Sequence, residues 1–254
     1  MGMRNLRWLW ILVGLAFGAW AGVPAHPPLV LRGEADLWGV AQGRGTASDP
    51  YVIENLRIDA AGEPFGLLIE NVGRPLVLRN LEIYGATVAA LRLHNVYLAR
   101  IENVVLRGSA AGLLISRSEK VVVQNVVVQE CHDGIRAMFS RELVFSGIRV
   151  SKAVTGLWFQ GVQNSRLVDS EIAECGLGLL LELGSADNLI LGNAFLRNHI
   201  HAASEGKNSF DDGRRGNFWE GFEAEDRDGD GILDVPYYIG PDSDRFPLAS
   251  PPRP

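Results

Sequence analysis

A segment near the C-terminus has the residue spacing of a calcium-binding loop. Its candidate ligands fit positions 1, 3, 5, 7 and 9 of an EF-hand loop and are Asp226, Asp228, Asp230, Ile232 and Asp234. Calcium takes about six to eight oxygens, and alternate residues of a tight loop converge, with Gly231 permitting the sharp turn. Ile232 would contribute its backbone carbonyl. Tyr237 stands where the EF-hand has a bidentate glutamate, so another oxygen must complete the predicted site.

Histidines are the candidate ligands for copper, which cysteine, methionine and histidine side chains bind. His199 and His201 stand two residues apart and are expected to point the same way at the end of the last repeat. His26 becomes the N-terminal residue if a leader is cleaved after Ala25, and its amine and imidazole can then chelate copper together. The alternative is that these histidines are ordinary solvated or core residues.

Carboxyl pairs are the residues that glycoside hydrolysis requires, about 5 Å apart for retention and further apart for inversion. The most regular acidic column is Glu130, Lys152 and Glu174, in which a lysine separates the two acids. This order is typical of a ladder of surface ion pairs. A carbohydrate-active enzyme, a lyase or a hydrolase, is the alternative function.

An internal repeat sets the fold that must position these residues. Glycines that each precede a short apolar segment recur every 22 residues, at Gly112, Gly134, Gly156 and Gly178. A second column recurs at intervals of 22 to 25, at Asn55, Asn80, Asn103, Asn125, Gly147, Asp169 and Gly192. Alternating apolar residues between these turn residues indicate short strands.

This period is too short for a propeller blade, which needs about 40 residues, and the frame of a leucine-rich repeat is missing. The sequence therefore predicts an all-β fold, a single-stranded right-handed parallel β-helix. It has seven or eight coils of 22–25 residues and a cap at each end.

Stacked coils place equivalent residues about 4.8 Å apart, so the sequence can be interpreted as columns. The outward columns of the strand after each repeat glycine predict a binding face for a partner protein or a glycan. Its residues are Arg92, Leu114, Arg136, Met138, Trp158, Gln160 and Leu180. Arginine, tryptophan and methionine are enriched at interfaces, and an aromatic ring on a flat sheet can also stack on a sugar. The alternative is that a turn or a terminal segment covers this stripe.

The chain divides into a leader and one solenoid domain. Residues 1–25 have two arginines, an apolar run and small residues, which predicts a signal peptide cleaved after Ala21 or Ala25 and a periplasmic or secreted location. The β-helix domain then spans 26–254, with an N-terminal cap at 29–45 and an acidic C-terminal cap and tail at 214–254.

The composition excludes some classes of protein. The chain has 24 basic and 30 acidic residues and a net charge of −6, which argues against a basic surface of the kind that binds nucleic acid. Cys131 and Cys175 are two coils, or about 9.6 Å, apart, whereas the Cα atoms of a disulfide lie within about 7 Å. We expect both thiols to be free.

Two segments carry a resemblance to a known family. Gly43 to Asn55 resembles the opening segment of right-handed β-helix repeat proteins. Gly216 to Trp219, Asp226 to Tyr237 and Asp244 to Leu248 resemble the closing segment of the NosD family. Those proteins are periplasmic β-helices, the best known being an accessory protein in the copper maturation of nitrous oxide reductase. The resemblance implies an exported, non-catalytic protein, for which we expect an accessory role of this kind.

Overall fold

The computed structural model describes residues 24–252, so the predicted signal peptide at 1–25 lies almost entirely outside the described residues. Within them, regular structure consists of 21 β-strands and one short helix, α1 (Glu34–Leu37). No helix in this part of the chain has the length and apolar character that a membrane crossing requires.

Eight parallel strands form sheet 1, one from each coil. They are β1 (Leu29–Leu31), β3 (Phe65–Val72), β5 (Ala89–Val96), β7 (Ala111–Ser116), β9 (Asp133–Met138), β12 (Thr155–Gln160), β15 (Leu177–Glu182) and β18 (Ile200–Ser204). Each strand pairs with the next in this order. From β3 onward, about one repeat of chain separates neighbouring strands, so the backbone winds once around the solenoid for each strand.

Sheet 2 is built from eleven strands on another side of the coils. They are β2 (Tyr51–Asp59), β4 (Leu76–Tyr84), β6 (Ala99–Arg107), β8 (Val122–Gln129), β10 (Val144–Ser146), β11 (Arg149–Ser151), β13 (Arg166–Val168), β14 (Glu171–Ala173), β16 (Leu189–Leu191), β17 (Ala194–Leu196) and β19 (Phe218–Trp219). The early coils contribute one long strand each and the later coils two short ones. The predicted turn column lies at this bend with positive φ, as at Asn125 (53°) and Asp169 (49°).

A third side of the coils is a row of single parallel bridges. It runs through Tyr97, Glu119, Arg141, Gln163 and Ala186. With sheets 1 and 2, this row gives three sides to the coils that it crosses. The predicted parallel β-helix of seven or eight coils is therefore confirmed. Beyond the last coil, β20 (Tyr237–Ile239) and β21 (Asp242–Asp244) form a small antiparallel hairpin.

The repeat glycines lie where successive coils approach most closely. A Cβ atom at Gly134 would lie 2.4 Å from the carbonyl oxygen of Gly156 and 2.4 Å from Val150 Cγ1. A Cβ atom at Gly156 would lie 2.5 Å from the carbonyl oxygen of Gly178. No side chain fits at these distances, so the repeat of glycine reflects packing between coils and across the interior.

The interior is filled by inward-pointing apolar side chains. The inward column of sheet 1 is fully buried and consists of Leu67, Leu91, Leu113, Ile135, Leu157 and Leu179. Burial of each such side chain contributes about 1.5–3 kcal/mol. Because the core runs the length of the solenoid, it holds the outward columns in register.

The two ends of this core have different neighbours. Near the N-terminus, Leu37 of α1 is fully buried in the same apolar cluster as Leu31 and Tyr51. At the other end, the ring of Trp219 stacks between Phe195 and Tyr237, with centroid distances of 4.5 and 4.3 Å. The aromatic stack therefore continues the core from the last coil into the hairpin.

A buried carboxylate holds this aromatic stack in place. Asp244 is completely buried, and its Oδ2 accepts hydrogen bonds from Trp219 Nε1 (2.9 Å) and Asn217 N (2.7 Å). Burial raises the pKa of the Asp244 carboxyl, although the amide and indole donors oppose this shift. The residues that carried the family resemblance at the C-terminus thus form the closure of the last coil.

Candidate functional site

The outer face of sheet 1 brings the predicted binding residues side by side. Arg92 is paired with Leu114, Leu114 with Arg136, Arg136 with Trp158, and Trp158 with Leu180. In the next outward column, Met138 is paired with Gln160. We call these seven residues the sheet-1 face: Arg92, Leu114, Arg136, Met138, Trp158, Gln160 and Leu180.

A polar network ties the centre of the sheet-1 face together. The Arg136 guanidinium lies 4.1 Å from the Trp158 ring centroid and donates two hydrogen bonds to Gln160 Oε1, at 3.0 and 2.8 Å. Trp158 Nε1 and Gln160 Nε2 both donate to Glu182 Oε1, at 2.9 and 3.0 Å. These bonds join three successive coils, so the indole and the guanidinium are held in one orientation.

Asp133 extends this network beyond the residues that the sequence analysis selected. Its Oδ2 lies 3.8 Å from Arg136 Nη1, and its Oδ1 lies 3.1 Å from His132 Nδ1. Asp133 directly precedes a repeat glycine and is buried. The available signal was a charged residue in a column whose other members are Phe65, Ala89, Ala111, Thr155, Leu177 and Ile200.

Two exposed apolar residues flank the sheet-1 face and were also missed. Phe139 and Leu183 follow strands β9 and β15 in left-handed turns and are 59% and 58% exposed. Gly161 lies between their coils, and a Cβ atom there would lie 2.9 Å from Phe139 Cδ1. Large apolar side chains at turn positions, where polar residues are usual, were the signal in the sequence.

The N-terminal part of the sheet-1 face is less open. Leu68, which precedes Arg92 in the same column, is 2% exposed. The Arg92 guanidinium lies 5.1 Å from the Phe65 ring centroid, and its Nε is buried without a hydrogen-bond partner among residues 24–252. The network around Trp158 is therefore the better-developed part of the face.

Three of the five predicted calcium ligands lie close together in the segment 226–234, which we call the acidic loop. Asp226, Asp228 and Asp230 each offer a carboxylate oxygen within 4.8 Å of the others, and they are the only such potential metal group of three among the described residues. Asp226 Oδ2 accepts a hydrogen bond from Gly231 N at 3.0 Å. Backbone amides thus hold a carboxylate at the turn.

The remaining predicted ligands link the acidic loop to the end of the solenoid. Asp234 Oδ2 accepts a hydrogen bond from Arg227 N at 2.9 Å, so this carboxylate also stabilises the loop. Ile232 forms an antiparallel bridge with Leu248, whose amide donates to Asn217 O in the last coil at 2.9 Å. Movement of the loop is therefore connected to the segment that closes the core.

The histidines named for copper lie at opposite ends of the solenoid. His26 pairs with the first coil, where its amide donates to Arg57 O at 2.6 Å. His201 lies in β18, and its Nε2 is 2.8 Å from Glu220 O, whereas His199 is exposed. The two copper hypotheses consequently concern separate positions, and a metal at His201 would have to displace an existing contact.

The cysteines are buried and unbridged, which confirms the sequence prediction. The Cys131 thiol donates to Gln129 O at 3.4 Å and the Cys175 thiol to Ala173 O at 3.3 Å. Burial raises the pKa of both thiols. Both groups are therefore predominantly thiols at neutral pH.

The acidic column forms ion pairs of the kind that its order indicates. Lys152 Nζ lies 3.6 Å from Glu130 Oε1, and Arg197 Nη2 lies 3.0 Å from Glu174 Oε1. All four side chains are exposed, so each pair contributes little to stability.

Comparison with known proteins gives one family and several distant folds. The model of the family described as "Periplasmic copper-binding protein (NosD)" matches residues 53–224. A protein named "Probable ABC transporter binding protein NosD" from Pseudomonas aeruginosa is 34% identical over 117 residues, which cover 45% of this chain. The match covers 26% of that relative's own length.

Solved structures share the fold at low sequence identity. The A-module of Azotobacter vinelandii mannuronan C-5 epimerase AlgE6 superposes with a TM-score of 0.56 and 17% identity, over 62% of this chain and 50% of that one. XylC in complex with xylose gives a TM-score of 0.55 and 11% identity, over 68% and 36% of the two chains. At these identities the likeness concerns the β-helix alone.

Proposed function

The chain belongs to the NosD family, whose model matches residues 53–224, and on that premise we propose that it is an exported, non-catalytic β-helix protein. The sheet-1 face receives a partner protein or a glycan. The role is that of an accessory protein. The family description names copper binding, and the relative is named as a binding protein of an ABC transporter. An accessory role in copper-enzyme maturation is the specific form that we propose.

The network around Trp158 is the observation that carries this proposal. Interfaces are enriched in tryptophan, arginine and methionine, and rigid side chains lose little entropy on binding. Arg136 and Trp158 are already fixed by Gln160 and Glu182. The exposed Phe139 widens the apolar area beside them.

Copper enters the proposal through the partner rather than through a centre in this chain. The described residues do not assemble cysteine, methionine and histidine side chains around one point, because the thiols are buried and His26 and His201 lie at opposite ends. These residues therefore do not fit a copper centre with several ligands. A terminal amine at His26 after cleavage stays a separate hypothesis, as does the pair His199 and His201.

Calcium is proposed as a structural ion for the acidic loop. Three carboxylates within 4.8 Å of one another repel when no cation neutralises them. The loop is joined to the end of the core through the Ile232–Leu248 bridge. Bound calcium would therefore stabilise the closure of the last coil, and the sheet-1 face would not depend on it directly.

A carbohydrate-active enzyme is the rival proposal. Carboxylates on the outer face of sheet 1 would have to serve as acid and base, and the nearest to Trp158 are Asp133 and Glu182, two coils apart. Arg136 and His132 approach Asp133, and Trp158 and Gln160 donate to Glu182. Release of reducing sugar or unsaturated product from a panel of uronate and neutral polysaccharides would establish this rival.

The binding role can be tested by photo-crosslinking in the periplasm. A benzophenone amino acid at Phe139 should give a discrete crosslinked product, because this side chain is exposed at the rim of the sheet-1 face. The same probe at Gln124, which is exposed on sheet 2, is the matched control. To test binding of a glycan, the wild-type protein and the Trp158→Ala variant are each applied to a glycan array. Equal crosslinking at both positions would contradict the proposal. So would the absence of a crosslink at Phe139 together with glycan binding that Trp158→Ala does not reduce.

A further inference from the structure

A cleft of about 410 Å³ opens beside the N-terminal segment and lies within the usual range of small-molecule sites. Trp38, Tyr51, Arg44, Arg74 and Glu34 supply its chemically distinctive walls. None of these residues belongs to the sheet-1 face.

Trp38 presents a flat apolar surface in this cleft. The residue is 74% exposed, yet its Nε1 donates a hydrogen bond to the buried Tyr51 hydroxyl at 3.1 Å. The bond fixes one edge of the indole, so the ring is oriented although its faces remain accessible. An indole that is both anchored and exposed is suited to stacking.

Arg44 is supported by a backbone that only glycine allows. It stands between Gly43 and Gly45, which have φ values of 84° and 69°, and a Cβ atom at Gly45 would lie 2.3 Å from the Tyr51 ring. The Arg44 amide donates to Asp49 O at 3.1 Å, whereas its side chain is 88% exposed. Arg44 Nε lies 3.6 Å from Asp49 Oδ2, so the backbone and the Nε edge are held while the exposed Nη groups remain available.

A second guanidinium faces the same space. Arg74 Nε lies 3.1 Å from Glu34 Oε2, and Glu34 Oε1 also accepts a hydrogen bond from Gly73 N at 3.3 Å. The Arg74 side chain is 55% exposed, so part of its donor set stays accessible. Both guanidinium groups are paired through Nε, Arg44 with Asp49 and Arg74 with Glu34. Their exposed Nη groups can still donate to the carboxylate of an anionic ligand.

We propose that this cleft binds an acidic saccharide through one uronic acid ring. A pyranose has an apolar C–H face that matches the single indole wall, and its hydroxyl edges match the polar rim. The carboxylate of a uronate fits a guanidinium fork, which donates two parallel hydrogen bonds. An aromatic carboxylate would expose most of its second face, because Trp38 is the one exposed aromatic ring among the described lining residues. This binding site is additional to the sheet-1 face.

Calorimetric titration with trigalacturonate tests the proposal, with neutral galactotriose as the matched sugar. We expect saturable binding of trigalacturonate and binding of galactotriose that is weaker by about tenfold or more. Trp38→Ala should weaken trigalacturonate binding by at least about tenfold, whereas Trp38→Phe keeps a platform and should stay within about threefold. Arg44→Gln should weaken trigalacturonate alone.

Two controls separate this site from the sheet-1 face and from misfolding. Trp158→Ala should leave trigalacturonate binding unchanged, and the melting temperature of each cleft variant should stay close to that of the wild type. The proposal is overturned if trigalacturonate does not bind, if galactotriose binds equally well, or if Trp38→Ala folds and binds normally. Tighter binding of benzoate than of galacturonate would also overturn it, in favour of an aromatic anion.

Discussion

The Arg136 guanidinium stacks on the Trp158 ring of the next coil at 4.1 Å from its centroid. This stack joins β9 to β12 through side chains, in addition to the backbone hydrogen bonds between the strands. Glu182 on β15 accepts a hydrogen bond from the indole N–H of Trp158. A cation on an indole contributes about 0.5–1 kcal/mol at an exposed site. The proposed binding surface therefore also contributes side-chain contacts that join neighbouring coils.

Replacing Glu182 by alanine should weaken these contacts. The change removes the acceptor of Trp158 Nε1 and of Gln160 Nε2, and Gln160 is only 7% exposed. We expect the free energy of unfolding to fall by about 1–3 kcal/mol, because a buried donor is left unpaired. Urea unfolding measures the change.

Glu130→Ala, which breaks only the exposed pair with Lys152, is the control and should cost less than about 1 kcal/mol. Equal losses would contradict the network.

Gly156 should not tolerate even a methyl group. Alanine would place Cβ 2.5 Å from the carbonyl oxygen of Gly178 and 2.9 Å from Ile172 Cγ2. Neighbouring coils would have to separate, which costs about 1–3 kcal/mol or more. Gly39→Ala is the control, because no atom lies within 4 Å of its added Cβ. Thermal melts of both variants compare the costs, and a normal melt for Gly156→Ala would contradict this close packing.

The sequence predicted the solenoid because its columns are visible in one dimension. The glycines at 22-residue spacing and the inward leucines follow from backbone geometry, which repeats with every coil. Contacts such as Trp158 with Glu182 depend on side-chain rotamers and on the residues of the next coil. The repeat spacing therefore predicted the column of each residue but not its hydrogen-bond partner. Phe139 and Asp133 were missed because they occupy turn and edge positions that the alternating pattern does not describe.

The thiols should behave as inert core groups. Burial raises the pKa of both Cys131 and Cys175, so little thiolate is present at neutral pH. A maleimide should label the folded protein slowly and label two thiols after unfolding without reductant. Mass spectrometry counts the adducts. Fast labelling of the folded protein, or no labelling after unfolding, would contradict the packing of these coils.

The Asp211–Arg245 pair should make stability depend on pH in acid. Burial acts to raise the pKa of Asp211, but hydrogen bonds from Arg245 and backbone amides, with the Arg245 charge, outweigh it and lower the pKa below its ordinary value. Arg245 Nε donates to Asp211 Oδ2 at 3.0 Å. Ionised Asp211 therefore stabilises the fold above the ordinary aspartate pKa of about 3.9, and this contribution is lost as pH falls through the lowered pKa.

Arg245→Gln isolates this contribution. Urea unfolding at pH 7 should show a less stable variant, and the difference from the wild type should shrink below about pH 4 as Asp211 becomes protonated. Arg214→Gln, an exposed residue of a neighbouring turn, is the control and should follow the wild type at every pH. A difference that stays constant from pH 7 to pH 3 would mean that Asp211 does not respond to the guanidinium.

Calcium should stabilise the C-terminal closure through the acidic loop. Asp226, Asp228 and Asp230 already converge within 4.8 Å, and the loop reaches the last coil through Leu248. Calcium that binds only the folded state raises the free energy of unfolding by mass action. The increase is about 2.7 kcal/mol when free calcium is about a hundred times Kd. The melting temperature should therefore rise with calcium and fall in chelator.

Asp228→Asn tests whether the three carboxylates act as ligands. The variant should lose most of the calorimetric heat of calcium binding and most of the calcium-dependent rise in melting temperature. Its melt in chelator should match or exceed that of the wild type, because one repelling charge has been removed from the loop. Asp187→Asn, an exposed aspartate in a left-handed turn, controls for charge and should keep the full calcium response. No heat of binding in the wild type, with a melt unchanged by millimolar calcium, would exclude calcium from this loop.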